Sequence, residues 1–438
     1  MGNNSLKINI QSEIGCLDAV LLHRPGCEVE NMTPRTVQRA LYSDILNLGI
    51  AQEEYSLLSG VLSKLTKVYE VSDLLEKVLN QESSRGPLIR RICESEGLMS
   101  YYDELMAKDS KELARVLIEG LPAKVNTLTS YLNNEYYALY PLYNFYFTRD
   151  SAVTIGTQAF ICKMANKVRM RESIIMNAIY QESGEFDCGV VDANVPSNII
   201  HCDPSLVNME GGDMIIARED ILIIGNGIRT SSQGIDFMIE RFRRHNSTGR
   251  YNFIVQQLPS EPESFIHLDM VFTMLDRDKC MVFSPLILEN NQYQTVHIVV
   301  EDGKVVSIKP VRNILTALRS LGMDLQPVIC GGEDEWDQER EQWHSGANSF
   351  AFAPGKVLTY ARNVHTLDQL DKAGFNVIMA EDFIGTDNYL KSSSPEDVAA
   401  FMNDGKPCVI AINGSELPRG GGGARCMTMP LSRKPVEW

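Results

Sequence analysis

The chain lacks any run of about eighteen uncharged apolar residues, the length a helix needs to cross a bilayer, so its apolar residues serve a core. It also lacks an excess of positive charge. Lys plus Arg number 41 against 57 for Asp plus Glu, a net charge of −16, which disfavours nucleic acid or anionic lipid as the main partner and tolerates a cationic ligand. The opening MGNNSLKINIQSEIG has no apolar stretch of signal-peptide length, and Leu6 stands where a myristoylation pattern after Gly2 needs Ser or Thr. A cytoplasmic location is the expectation. The 10 cysteines include no C-x-x-C pair and no Cys/His cluster at zinc spacing, so neither a disulfide framework nor a structural metal is expected. A free thiol has a pKa of roughly 8.5, so only a cysteine in a special neighbourhood would be reactive.

What is present is a folded protein. Hydrophobic residues at 44% and charged residues at 22% of 438 exclude a disordered chain, and the length suits one large domain or two ordinary ones. The run CLDAVLL from Cys16 to Leu22 reads as a buried strand closed by the turn His23-Arg24-Pro25-Gly26. Over about 51–125, Leu57, Leu58, Val61, Leu62 and Leu65, then Leu74, Leu75, Val78 and Leu79, then Leu113, Val116 and Leu117 recur at helical spacing, which predicts an all-helical insertion. Beyond Tyr140 a pattern recurs. Met214 to Ala217 and Ile221 to Gly225 read as a hairpin, followed by Arg229 and a helix capped by Thr230 or Ser231. Phe350 to Ala353 and Val357 to Tyr360 lead likewise to Arg362, Thr366 and the helix of DQLDKAGF, and a looser copy runs from Ala152 through Arg169 and Arg171 to a helix near Glu172. Such repeats predict ββα-type modules that deliver arginines towards a common centre.

Four short segments concentrate reactive residues: Asn144 to Asp150 (NFYFTRD), Glu210-Gly211-Gly212-Asp213, His267-Leu268-Asp269, and Gly420 to Met427 (GGGGARCM). An extended His267-Leu268-Asp269 would put imidazole and carboxylate on one face. Each segment has a plain structural reading: Asp150 and Asp213 as turn or cap residues, His267 as a satisfied core histidine, the glycines as a mobile tail. The glycine run lacks the Gly-Lys-Ser/Thr of a phosphate-binding loop. Jointly, a cysteine beside a cation, a histidine to carry its proton and surplus carboxylates form a nucleophilic set, and the acids make sense if the substrate is itself a cation. A guanidinium fits.

The motifs SEIGCLDAVLLHRPG, NFYFTRD, MEGGDMII with IGNGIRTS, HLDMVFTMLDRD, REQWHSGAN with FAFAPG, and GGGGARCMTMPLSR stand in the order and spacing of the arginine deiminases, and the chain resembles that family nearly end to end. The resemblance implies a single catalytic domain over 1–438, an α/β propeller of five ββαβ (pentein-like) modules about a pseudo-fivefold axis carrying the helical insertion. It implies hydrolysis of free L-arginine to L-citrulline and ammonia through a covalent Cys thiouronium, with no cofactor or metal. By motif, Cys426 is the nucleophile, His267 the general acid and base, Glu210 its orienting partner, and Asp150 and Asp269 the grips on the guanidinium. Asn144, Arg169 and Arg229 correspond to positions that bind the substrate's carboxylate end, and Asp213 supports the glycine turn. Gly421 stands where several relatives carry a further arginine, for which Arg425 is the candidate substitute. Hydrolysis of another guanidino or ureido compound, or amidine transfer to an amine, are the alternatives. Family members often assemble as dimers or larger, although no coiled-coil heptad marks an interface.

Overall fold

The structure, a computed structural model, describes residues 5–34, 36–42, 44–132, 136–195, 203–245 and 248–438. Gly2 lies outside them. Among the described residues, five sheets share one pattern: an antiparallel pair whose second strand takes a parallel neighbour. The first joins Met429–Arg433 to Leu17–Leu22 and then to Lys67–Glu70. The second runs Ala152–Ile155, Gln158–Ile161, Gly189–Asp192. The third runs Met214–Arg218, Ile221–Asn226, Arg250–Gln257, and is extended by Thr295–Glu301 and Lys304–Val311. Phe272–Met274, Lys279–Val282 and Gln326–Ile329 form the fourth. Phe350–Ala353, Lys356–Tyr360 and Cys408–Ile412, with Asn376–Met379 beyond, form the fifth.

The pattern follows from chain geometry. A tight turn can join only antiparallel strands, whereas a parallel neighbour needs a crossover, and helices Leu48–Leu65, Met170–Glu182, Ser232–His245, Ile314–Ser320 and Val364–Lys372 lie in those crossovers. The helices cover the sheets, which is why AVTI, ILIIG, FAFA and CVIAI are buried along their whole length rather than alternating. Chain ends meet in the first sheet. That pairing places the segment before Met429, which holds Cys426, beside the N-terminal strand.

Within the stretch expected to be all helix, Lys67–Glu70 is a strand, because Val68 and Tyr69 pair in parallel with Val20 and Leu21. Helix Leu48–Leu65 is thus the crossover of the first sheet. Helices Val71–Leu79, Glu82–Glu96 and Ser110–Glu119 form the added layer, packing Leu74, Leu75, Val78, Ile89, Ile92 and Leu117 into one core with Ile174, Ile175 and Ile179. Ser231 is the cap of its helix, accepting the Gly234 N–H at 3.0 Å, whereas the helix expected over DQLDKAGF begins earlier, at Val364. Among the described residues no helix is long and apolar enough to cross a membrane.

One contact joins the crossover helix to the glycine-rich segment. The Glu54 carboxylate, buried, accepts the N–H groups of Ser415, Glu416 and Leu417 and the Ser415 hydroxyl. Removing it strands several donors at once, each worth roughly 1–3 kcal/mol when left unsatisfied. Glu54→Ala is expected to destabilise the protein by about 3 kcal/mol, measured as a lower denaturation midpoint in urea; an unchanged midpoint would refute the clamp.

Candidate active site

The four reactive segments meet. Arg149 N–H donates to the Cys426 carbonyl at 3.2 Å, joining NFYFTRD to the cysteine loop. Cys426 Sγ lies 3.6 and 3.8 Å from the two Asp269 oxygens. His267 Nε2 is 2.9 Å from Glu210 Oε2, and its Nδ1 is 3.7 Å from Asp150 Oδ1. Asp213 Oδ1 accepts the Leu268 N–H at 2.9 Å, tying the glycine turn to the histidine segment. His267 itself is extended, but Leu268–Met270 forms a 3₁₀ turn, so the extended alternation expected to align imidazole and Asp269 does not hold there. Cys426, His267, Glu210, Asp150 and Asp269 are all buried.

Burial and charge set the proton positions. Burial opposes a charged imidazole, but the Asp150, Asp213 and Glu210 carboxylates overcome it and raise His267 to about 9. Burial likewise opposes ionised Glu210, and Arg229, His267 and Arg169 outweigh it, holding the carboxyl at about 2. Burial alone dominates at Asp213, raised to about 7. Cys426 is pushed well above the usual thiol range by burial and by the Asp269 and Asp150 charges. These environments favour a protonated His267 and a neutral Cys426 thiol.

Asp150 and Asp269 each already hold a guanidinium group from the chain itself. Arg169 Nη1 is 2.7 Å from Asp150 Oδ2, and its other nitrogens bind Glu172 at 2.7 to 3.1 Å. Arg425 Nη1 is 2.8 Å from Asp269 Oδ2, with Glu13 at 3.0 and 3.2 Å and the Met214 carbonyl at 2.6 Å taking three further donors. This corrects the expectation for Arg425. Its guanidinium is buried and paired with two carboxylates of the chain, which commits it inside the protein and not to a substrate carboxylate. Asn144 spends its amide on the Ala40 carbonyl at 2.6 Å, and its own carbonyl accepts from Arg169 at 3.3 Å. Arg229, 3.7 Å from Glu210, lines a cavity of about 320 Å³ with Asn166, Met270, Trp343, Arg419 and Gly421. Arg362 does not join the centre; it turns towards His344 and the Ser415 carbonyl. Gly421 has φ of +83°, a left-handed conformation that a side chain there would strain.

Three residues of this network carried no role in the sequence reading: Glu13, Glu172 and Asn348. Glu13 and Asn348 lie within quoted motifs, but their importance comes from partners hundreds or tens of positions away. Asp150, Glu210 and His267 also place ligand atoms within 4.8 Å of one another, the cluster among the described residues that could hold a metal ion. Arg169 and the imidazolium already neutralise its acids.

Gly212 permits the histidine's position, since a Cβ there would sit 2.6 Å from His267 Nδ1. Gly212→Ala is expected to push the ring off Glu210 and lower the His267 pKa from about 9, followed by proton NMR titration of the imidazole. An unmoved pKa would show that the ring has room.

Comparison with known proteins agrees with this arrangement. A family model described as arginine deiminase matches residues 38–433. The arginine deiminases of Staphylococcus aureus strains MRSA252 and Newman are each 31% identical over 449 residues, covering 98% of this chain and 99% of theirs. Among solved structures, the N-terminal domain of ArgZ, an arginine dihydrolase from the ornithine-ammonia cycle in cyanobacteria, is similar with a TM-score of 0.51 at 13% identity, covering 95% of this chain and 99% of that one. SxtG, an amidinotransferase from Microseira wollei, is similar at 0.53 and 11%, covering 98% of each. These distant likenesses speak for an α/β fold of the same kind. The family match over nine-tenths of the sequence and the end-to-end identity decide the relationship: the chain belongs to the arginine deiminase family.

Proposed function

We propose that this protein hydrolyses the guanidinium group of L-arginine to L-citrulline and ammonia, with Cys426 as nucleophile, His267 as acid and base, Glu210 orienting it, and Asp150 and Asp269 gripping the cation. The observation that carries the reading is the Cys426 thiol 3.6 Å from Asp269, in a buried cluster whose histidine pairs with Glu210. Curated relatives at 31% identity bear the name arginine deiminase, and the ArgZ domain with a similar fold has been solved bound to its substrate. The five sheets of shared pattern support a pseudo-fivefold propeller, with the site on its axis and the helices of 71–119 as an added layer of a single domain.

Arginine enters as a cation. Its guanidinium displaces Arg169 from Asp150 and lies against Asp269, and bidentate carboxylate contacts suit its planar fork. That positive charge beside Cys426 offsets the acids that hold the thiol neutral, so binding releases the thiol proton to solvent. The thiolate sulfur attacks the guanidinium carbon as one C–N π pair moves onto nitrogen. His267, already protonated, gives its Nδ1 or Nε2 proton to the departing nitrogen, and the C–N bond breaks to free ammonia and leave a thiouronium. The neutral imidazole then takes a proton from water, whose oxygen adds to the same carbon. Collapse breaks the C–S bond, restores thiolate and imidazolium, and the surplus proton of the urea passes to ammonia. Arg229 lines the cavity wall, which supports a role for it in meeting the substrate's carboxylate.

The direct test incubates purified protein with arginine, agmatine, canavanine and citrulline, with Cys426→Ala as control. Ammonia and citrulline from arginine without added amine are expected; no release from any of them would overturn the reading, and a need for an amine acceptor would make it an amidinotransferase. Asp150→Asn and Asp269→Asn are expected to lower kcat by about 100-fold or more at saturating arginine, since each removes a buried charge partner. Near-normal kcat would remove them from the chemistry. Because the general acid must hold its proton in the free enzyme, kcat/KM should fall as pH rises through about 9. A fall centred near the ordinary histidine value would contradict the role of the surrounding carboxylates.

A further inference from the structure

The Cys426 sulfur lies under the influence of two carboxylates and of a cation that opposes them. Asp269 and Asp150 disfavour a thiolate, Arg425 and the Gly423 backbone favour it, and the phenols of Tyr146 and Tyr360 lie within electrostatic range. Arg425 is already committed to Asp269 and Glu13. An anion forming here needs a neutral donor aimed at it.

We infer that Asn348 is a further catalytic residue, whose side-chain amide donates a hydrogen bond to the nucleophilic sulfur and stabilises the attacking thiolate. This rests on Cys426 being the nucleophile. Asn348 Nδ2 is 3.1 Å from Cys426 Sγ and 3.1 Å from the Asp269 carbonyl, so each of its two N–H groups has a target. The orientation is forced. Oδ1 accepts the backbone N–H groups of Arg425 at 3.0 Å and Cys426 at 3.1 Å, and a flipped amide would set NH₂ against two donors. The side chain is 1% exposed, so water does not compete for the sulfur. Gly423 makes the space: a Cβ there would lie 2.8 Å from Asn348 Cβ and Oδ1. The donor is thus fixed before substrate arrives, the condition under which a hydrogen bond to a developing charge lowers a barrier. One amide sets the backbone of the cysteine loop through Oδ1 and the electronics of its sulfur through Nδ2.

The two roles separate by substitution. Asn348→Ala removes donor and acceptor; Asn348→Asp keeps the acceptor for both amides and removes the donor. The pH profile of kcat reports groups in the substrate complex, its acid limb the thiol and its alkaline limb His267. In both variants the acid limb should move up by about one pH unit or more while the alkaline limb stays, with kcat at pH 7 down about tenfold or more. Thermal stability should fall in Asn348→Ala and recover in Asn348→Asp, although the acid limb does not. A second readout needs no turnover: iodoacetamide modification of Cys426, followed by mass spectrometry against Cys426→Ala, should shift to higher pH in both variants. An acid limb and an alkylation profile both unmoved in Asn348→Asp would overturn the assignment, as would equal displacement of both limbs in the two variants, which marks a merely structural part. If wild-type enzyme releases no citrulline, the proposed function fails while the alkylation profile still decides Asn348.

Discussion

The structure depends on burying carboxylates without leaving them unpaired. Taking an ionised acid out of water costs several kcal/mol unless a cation and hydrogen bonds accompany it, and breaking such a buried pair costs about 3–5 kcal/mol. Asp269 meets this condition through Arg425, itself held by Glu13; Asp150 meets it through Arg169, itself held by Glu172. The resulting chains of alternating charge run from the segment before strand Leu17–Leu22 and from the helix Met170–Glu182 into the centre. Glu13 is lowered to about 2 because Arg425 and Arg149 outweigh its burial, which keeps the carboxylate ionised against its partner.

The same arrangement explains how acids and a nucleophilic thiol coexist. At rest the carboxylates hold the thiol protonated and the imidazole charged, so the sulfur is quiet. In the proposed reaction an arriving guanidinium would change the balance by neutralising the acids that oppose the thiolate. Arg169 bridges Asp150 and Glu172, so these acids are paired within the chain itself. Under that proposal an incoming group would have to replace a planar, two-pronged donor, which a lysine ammonium does not match.

Close approach of backbone makes this density of charge possible. Gly212 lets the imidazole lie against the turn, and the loop 420–423 leaves room for Asn348 and for the aromatic rings of Tyr146 and Phe147. These glycines act by absence of volume, and Gly421 also by its left-handed backbone. Glu54 then secures the loop's entrance from the crossover helix, linking the position of the site to a packing contact far from its chemistry.

Much of this was legible in the sequence. Runs such as ILIIG and FAFA announced buried strands, and the leucine spacing announced helices, because periodicity and burial are local properties. The segments bearing Cys426, His267, Glu210, Asp150 and Asp269 stood out because their residue types are rare together and their motifs match one family. The strand Lys67–Glu70 did not stand out, since four residues between two leucine-rich helices take their conformation from pairing with Leu17–Leu22. Arg425 was legible as a cation beside the cysteine but not as the partner of Asp269, and Asn348 had no signal beyond its motif. Sequence alone thus determined most element types, the family and the kinds of residue gathered at the centre, for these depend on composition and local pattern. Which donor meets which acceptor was decided only by tertiary structure, because Glu13, Asp269, Asn348 and Arg425 are brought together by chain reversals and their interaction depends on ångström-scale distance in a medium without water.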